Sequence, residues 1–129
     1  MNRPEITRPD EPVFDANVLG AMFGSETAVI ASVLQTFMVG TGDNLGALAQ
    51  AVAAQDFASV AALAHKITGA CRMSGALAMG QAARNVEQAA KREDAAAVQQ
   101  GHRDLEAQWH LAQAAIGALT TRSPQGSPQ

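Results

Sequence analysis

Residues 56–75 read DFASVAALAHKITGACRMSG. On a helical wheel at about 100° per residue, Phe57, Val60, Ala64, Ile67 and Cys71 fall within a sector from about −60° to +20° around Ala64, with Leu63 at about −100°. That spacing predicts an amphipathic helix with one buried stripe. Asp56 is placed to cap its start, and Ser74-Gly75 to end it near Met73, because glycine accepts the left-handed conformation beyond a helix C-terminus.

The same periodicity continues on both sides. A short first helix is expected over about residues 15–23, with Asp15 as N-cap and Gly24 as stop. Ser25 and Glu26 can open a second, whose apolar positions Ile30, Val33, Phe37, Leu45, Leu48 and Val52 carry it to about Gln55. Gly40, Gly42 and Gly46 oppose that helix, each costing about 1 kcal/mol relative to alanine, so a kink near Gly40–Gly42 competes with one long element. A fourth helix is expected over about residues 76–91. The cluster Lys91-Arg92-Glu93-Asp94 then reads as a solvated turn, with Asp94 capping a fifth helix that carries Val98, Gly101, Leu105, Ala112, Ile116 and Leu119. Trp109 lies beside that stripe and reads as a packed side chain. Met22, Met38, Met73 and Met79 read as fillers of the core or its edge, and Cys71 as buried and inert. Short connections between long helices imply antiparallel neighbours. The fold class is therefore all-α: an antiparallel up-and-down four-helix bundle over residues 13–121 with a short extra N-terminal helix. Flexible segments are expected at 1–12, rich in proline and charge, and at 122–129.

Composition agrees with that reading. Alanine occupies 28 of 129 positions and tyrosine none, which disfavours an all-β fold. A chain of this length forms one domain and buries roughly two thirds of its unfolded surface. The net charge of −3 argues against a nucleic-acid or anionic-membrane binder, which would need a basic face. No apolar run is long enough to span a bilayer, so no membrane insertion is expected, and MNRPEITRPDEP lacks the apolar stretch of a signal peptide. Cys71 is the single cysteine, which excludes an internal disulfide and suits a reducing, cytoplasmic setting. His102 and His110 are eight apart without a histidine or cysteine at helical ligand spacing, so no metal site is expected.

His65 is the residue on the wrong side of the helix for packing. It falls at about 100° on the wheel and should point to solvent. The side chains within reach along the helix are Ala58, Ala61 and Ala62 before it and Thr68, Gly69 and Arg72 after it. Five of these six are small. An exposed helix face ordinarily carries Glu, Lys and Gln, and alanine abounds in this chain, but Gly69 in mid-helix works against the fold. A bare patch around an outward imidazole is what a second molecule needs in order to approach closely.

The stretch from Ala64 to Ala76, AHKITGACRMSGA, resembles the signature of histidine phosphotransfer domains, the HPt modules of bacterial phosphorelays. The likeness lies in Ala64-His65, the aliphatic Ile67, Gly69 and the closing Gly75-Ala76. Phe14-Asp15, Asp56 and Val86-Glu87 also fit, and the resemblance spans about residues 13 to 119. The ending is most similar to HPt modules at the C-terminal end of hybrid sensor kinases. The family places Lys three residues after the histidine, where this chain has Thr68.

The resemblance implies a phosphohistidine carrier without kinase activity of its own. His65 would accept a phosphoryl group from a receiver-domain aspartyl phosphate and pass it to another receiver aspartate. Lys66, Thr68, Gly69, Arg72, Ala61, Ala62 and Ala58 would meet the phosphoryl group or the partner. Thr68 offers a hydroxyl donor, and Arg72 and Lys66 offer charge, Arg72 being nearer the face of His65. The implied partners are response-regulator receiver domains, or a hybrid sensor kinase in cis, in the cytoplasm. No cofactor is expected on this chain. Mg²⁺ would come with the receiver, since the sequence has no glycine-rich phosphate loop and no carboxylate cluster. Three other readings compete: an HPt-like adaptor that binds a receiver without being phosphorylated, a purely structural bundle, and a histidine kinase dimerisation domain. The last is disfavoured because no ATP-binding domain follows.

Overall fold

The structure, a computed structural model, describes residues 12–24 and 26–122, with side chains described through residue 118. It contains five helices and, among the described residues, no strand: α1 Ala16–Phe23, α2 Thr27–Ala53, α3 Phe57–Ser74, α4 Leu77–Lys91 and α5 Ala95–Arg122. Helices α2 to α5 form the bundle, and α1 lies against α2 and α3. No single helix among the described residues is long and apolar enough to cross a membrane.

The expected caps are in place. Asp15 accepts from the amide of Asn17 at 3.0 Å, Asp56 from Ser59 at 3.2 Å, and Asp94 from Ala97 at 3.1 Å. Each satisfies an amide that the first helical turn leaves without a partner. Gly24, at φ 71°, and Gly75, at φ 97°, end α1 and α3. The α2–α3 and α4–α5 turns share one geometry. Gln55 and Glu93 take positive φ, and the amides of Asp56 and Asp94 reach back to the carbonyls of Ala51 and Ala89. These are Schellman closures built without glycine.

The kink considered at Gly40–Gly42 does not occur. Helix α2 is continuous for 27 residues, with Leu34, Phe37, Thr41, Leu45 and Leu48 buried in one unbroken stripe. Tertiary packing outweighs the glycine penalty there. The ring of Trp109 meets Phe37 edge-on at 6.3 Å, and a Cβ on Gly42 would sit 3.8 Å from Trp109. The core is the expected one at Val60, Ala64, Ile67 and Cys71 of α3, and at Val98, Leu105, Ala112 and Ile116 of α5. Phe57 and Leu63 are only partly buried against it. Among the methionines, Met79 is fully buried and Met38 partly so, but Met22 and Met73 are exposed. They depart from the role of fillers because they face the open seam between α1, α2 and α3 rather than the bundle axis.

The termini expected to be flexible fall outside the described residues except for Pro12 and Arg122, as does Ser25, and the side chain of Leu119 is likewise not described. Pro12 is not loose: its carbonyl accepts from Ala78 at 2.8 Å, and the amide of Asp15 donates to Gly75 at 2.7 Å. The chain before α1 is thus sewn to the α3–α4 turn. Arg122 is the last residue of α5.

Helices α3 and α4 make the most extensive contact in the molecule. Gly80 permits it, since a Cβ there would lie 3.2 Å from Cβ of Cys71 and press the helices apart. Cys71 is fully buried, and the cost of desolvating a thiolate pushes its thiol up to about 12. The folded thiol stays neutral where the unfolded one ionises, so its contribution to stability is intact below pH about 9 and is lost as pH rises from there toward 12. A thiol reagent at neutral pH is expected to leave Cys71 unmodified until denaturant is added; stoichiometric labelling of the native protein within minutes would contradict this burial.

Candidate functional site

His65 sits midway along α3, with its side chain 76 % exposed. Its Nδ1 lies 3.1 Å from Oε2 of Glu87 on α4, a carboxylate only 12 % exposed. The same oxygen receives the ammonium of Lys91 at 3.2 Å, one helical turn further along α4. A neutral imidazole facing a carboxylate through Nδ1 must carry its proton there, because the carboxylate only accepts. Nε2 then holds the lone pair.

The ring stands at an open groove of about 390 Å³ between the two helices. From α3 it is lined by His65, Thr68, Gly69 and Arg72, and from α4 by Arg84, Glu87, Gln88 and Lys91. The face beyond is as bare as the sequence suggests: Ala58 and Ala62 are exposed and Ala61 is half-buried. A Cβ added to Gly69 would meet no atom of the protein within 4 Å outside its own helical turn. Packing inside this fold therefore gives no reason for glycine at that position.

Of the other two expected contacts, Thr68 lines the groove and Lys66 lies outside its lining. The Thr68 hydroxyl donates to the carbonyl of Ala64 at 2.9 Å, so its proton is turned into the helix and away from the groove. A threonine inside a helix finds that acceptor without help from the rest of the fold. Lys66 is exposed but does not line the groove. Its wheel position, about 100° beyond His65, carries it round α3 and away from α4. Arg72 does line the groove.

The α4 wall was the less legible half. Glu87 enters the sequence signature only beside Val86, and Lys91 reads as part of a solvated turn. Arg84 and Gln88 carry no signal of their own. The available clue was the spacing of Arg84, Glu87 or Gln88, and Lys91, which puts them on one helical face. Neither His102 nor His110 lines the groove. His110 is exposed, and His102 approaches Glu106 at 3.5 Å.

A second, apolar groove of about 280 Å³ opens between α1, α2 and α3, with Met22, Phe23, Val33 and Phe37 on one side and Ala70 and Met73 on the other. Ala70 and Met73 follow Gly69 on α3 by one and four residues, so this groove continues the bare patch round the helix.

No curated protein matches this sequence. The histidine-containing phosphotransfer protein B (HptB) of Pseudomonas aeruginosa PAO1 has a similar structure, with a TM-score of 0.80 at 20 % identity over 86 % of this chain and 96 % of that one. At that identity the likeness concerns the fold. The Hpt domain family model matches residues 32–119, which include α3, α4 and the groove between them. The chain belongs to the Hpt family, the histidine phosphotransfer domains of phosphorelays.

Proposed function

We propose that this domain carries a phosphoryl group on Nε2 of His65, taking it from the aspartyl phosphate of one receiver domain and handing it to the aspartate of another. The observation that carries this reading is the hydrogen bond from His65 Nδ1 to Glu87, which leaves Nε2 as the free nucleophile on an open, stripped face. In the forward step the Nε2 lone pair attacks phosphorus. The P–O bond to the receiver aspartate breaks, and its electron pair stays on the departing carboxylate. The ring becomes an imidazolium whose Nδ1–H still points at Glu87, and the reverse step expels the ring as a neutral imidazole. Phosphoryl transfer has a loose transition state, so positioning matters more than nucleophilic force. This chain supplies a ring held at one nitrogen and an uncluttered approach. The metal ion and the carboxylates that bind it are assigned to the receiver.

The receiver is expected to dock over Ala58, Ala62 and Gly69 and to extend across Ala70 and Met73 into the apolar groove. Met73, 62 % exposed, is the largest apolar side chain on that path along α3. The test is phosphotransfer profiling against a panel of purified, phosphorylated receivers, with wild type and His65→Ala side by side. Acid-labile label on the wild type alone supports the carrier. Stable receiver binding with no label on His65 supports the adaptor instead.

Glu87 acts through His65 and is a positioning residue. Glu87→Ala is expected to slow phosphoryl acceptance by about tenfold or more, the effect of losing one charge-assisted hydrogen bond. It should also yield a mixture of Nδ1- and Nε2-phosphohistidine by ³¹P NMR. Glu87→Gln keeps an acceptor for Nδ1–H and should restore Nε2 selectivity. Unaltered regiochemistry in Glu87→Ala would remove the proposed role.

A further inference from the structure

The chain has a net charge of −3, yet the groove at His65 gathers three cations, Arg72, Arg84 and Lys91, against the one carboxylate of Glu87. Such a groove attracts an anion. Of the three, Lys91 is committed to Glu87 at 3.2 Å. Among the described residues, neither Arg72 nor Arg84 is ion-paired. They stand on opposite walls, one from each helix. The stem of Arg72 lies against α4 where Gly80 leaves space, since a Cβ at that position would be 3.7 Å from Cγ of Arg72. Position 68, three residues after the histidine, carries no charge, and its hydroxyl proton is bonded to Ala64.

We propose that Arg72 and Arg84 together hold the phosphoryl group on His65 and do the work of the cation absent from position 68, while Lys91 neutralises Glu87 so that its carboxylate does not repel the dianion. The proposal rests on the reading of His65 as acceptor. Guanidinium is suited to the task because its planar fork meets two phosphoryl oxygens at once and stays charged at any working pH. The charge logic gives the direction of the effect. A phosphoryl dianion carries more negative charge at rest than the metaphosphate-like group in transit. Cations fixed beside the resting group therefore lengthen its life against hydrolysis.

The experiment separates this inference from the reading beneath it. Phosphoramidate phosphorylates histidine without any receiver. Its P–N bond breaks, ammonia leaves with the bonding pair, and Nε2 forms the new P–N bond while Nδ1 keeps its proton. The half-life of the resulting phosphohistidine is followed by ³¹P NMR in wild type, Arg72→Gln, Arg84→Gln, the double variant, and the double variant carrying Thr68→Lys. Each single change is expected to shorten the half-life about threefold to tenfold, as for the loss of one charge-assisted contact at a half-open site. The double variant should be shorter-lived still, and Thr68→Lys should recover most of the loss. Raising the ionic strength should shorten the wild-type half-life and leave that of the double variant nearly unchanged. A double variant that labels normally and hydrolyses at the wild-type rate overturns the proposal and leaves His65 as acceptor intact. A wild type that takes no label on His65 overturns both.

Discussion

His65→Gln is expected to take no phosphoryl label from any receiver or small phosphodonor while its thermal unfolding stays close to that of the wild type. The chemical half of that expectation follows from the nucleophile. A glutamine amide has no lone pair comparable to imidazole nitrogen, and neither His102 nor His110 lines the groove to substitute for it. The structural half follows from exposure. With the ring 76 % exposed, the substitution removes one hydrogen bond at the surface and no core packing. Its cost should stay within about 1 kcal/mol. Circular dichroism melts run beside the labelling assay check both halves. Label persisting on His65→Gln would place the acceptor elsewhere, and a collapsed melt would mean that the ring has a structural role its exposure does not suggest.

Gly75→Ala is expected to have the opposite profile, a large loss of stability from one methyl group. Gly75 has φ 97°, a backbone state that costs a side-chain-bearing residue energy, and an added Cβ would collide with the carbonyl oxygen of Asp15. Relief requires the chain before α1 to move. That movement breaks the 2.7 Å bond from Asp15 to Gly75 and disturbs the seat of the fully buried Leu19. Strain and lost contacts together should cost about 3 kcal/mol, or on the order of 10 °C in Tm. Urea unfolding measures it, and a loss below about 1 kcal/mol would show that the α1 segment is not held against this turn. Phosphohistidine formation should survive at temperatures where the variant is folded, because the groove lies further along α3 and α4.

Much of this architecture is local in origin and was therefore legible. Asp15, Asp56 and Asp94 cap helices because a short acceptor meets amides two or three residues ahead, a relation contained in a single turn. The stripe through Val60, Ala64, Ile67 and Cys71 and the outward aim of His65 both follow from helical periodicity. Thr68 is open to the same kind of reasoning, since its bond to Ala64 lies within one helical turn and takes the hydroxyl proton away from any ligand. The continuity of α2 was different. Local propensity weighs Gly40 and Gly42 against a helix, and what overrides it is a stripe of side chains from Leu34 to Leu48 buried against partners far away in the chain.

By itself the sequence determined where the helices begin and end to within about a turn, most of their buried faces, and the outward aim of His65. Those properties depend on residues within a turn or two of one another. Only the tertiary structure decided what stands opposite that imidazole. Helix α4 packs closely on α3, and Gly80 permits that approach, since a Cβ there would lie 3.2 Å from Cβ of Cys71. This packing turns Arg84, Glu87 and Lys91 toward His65 and converts an exposed ring into one held at Nδ1 within a groove of positive charge.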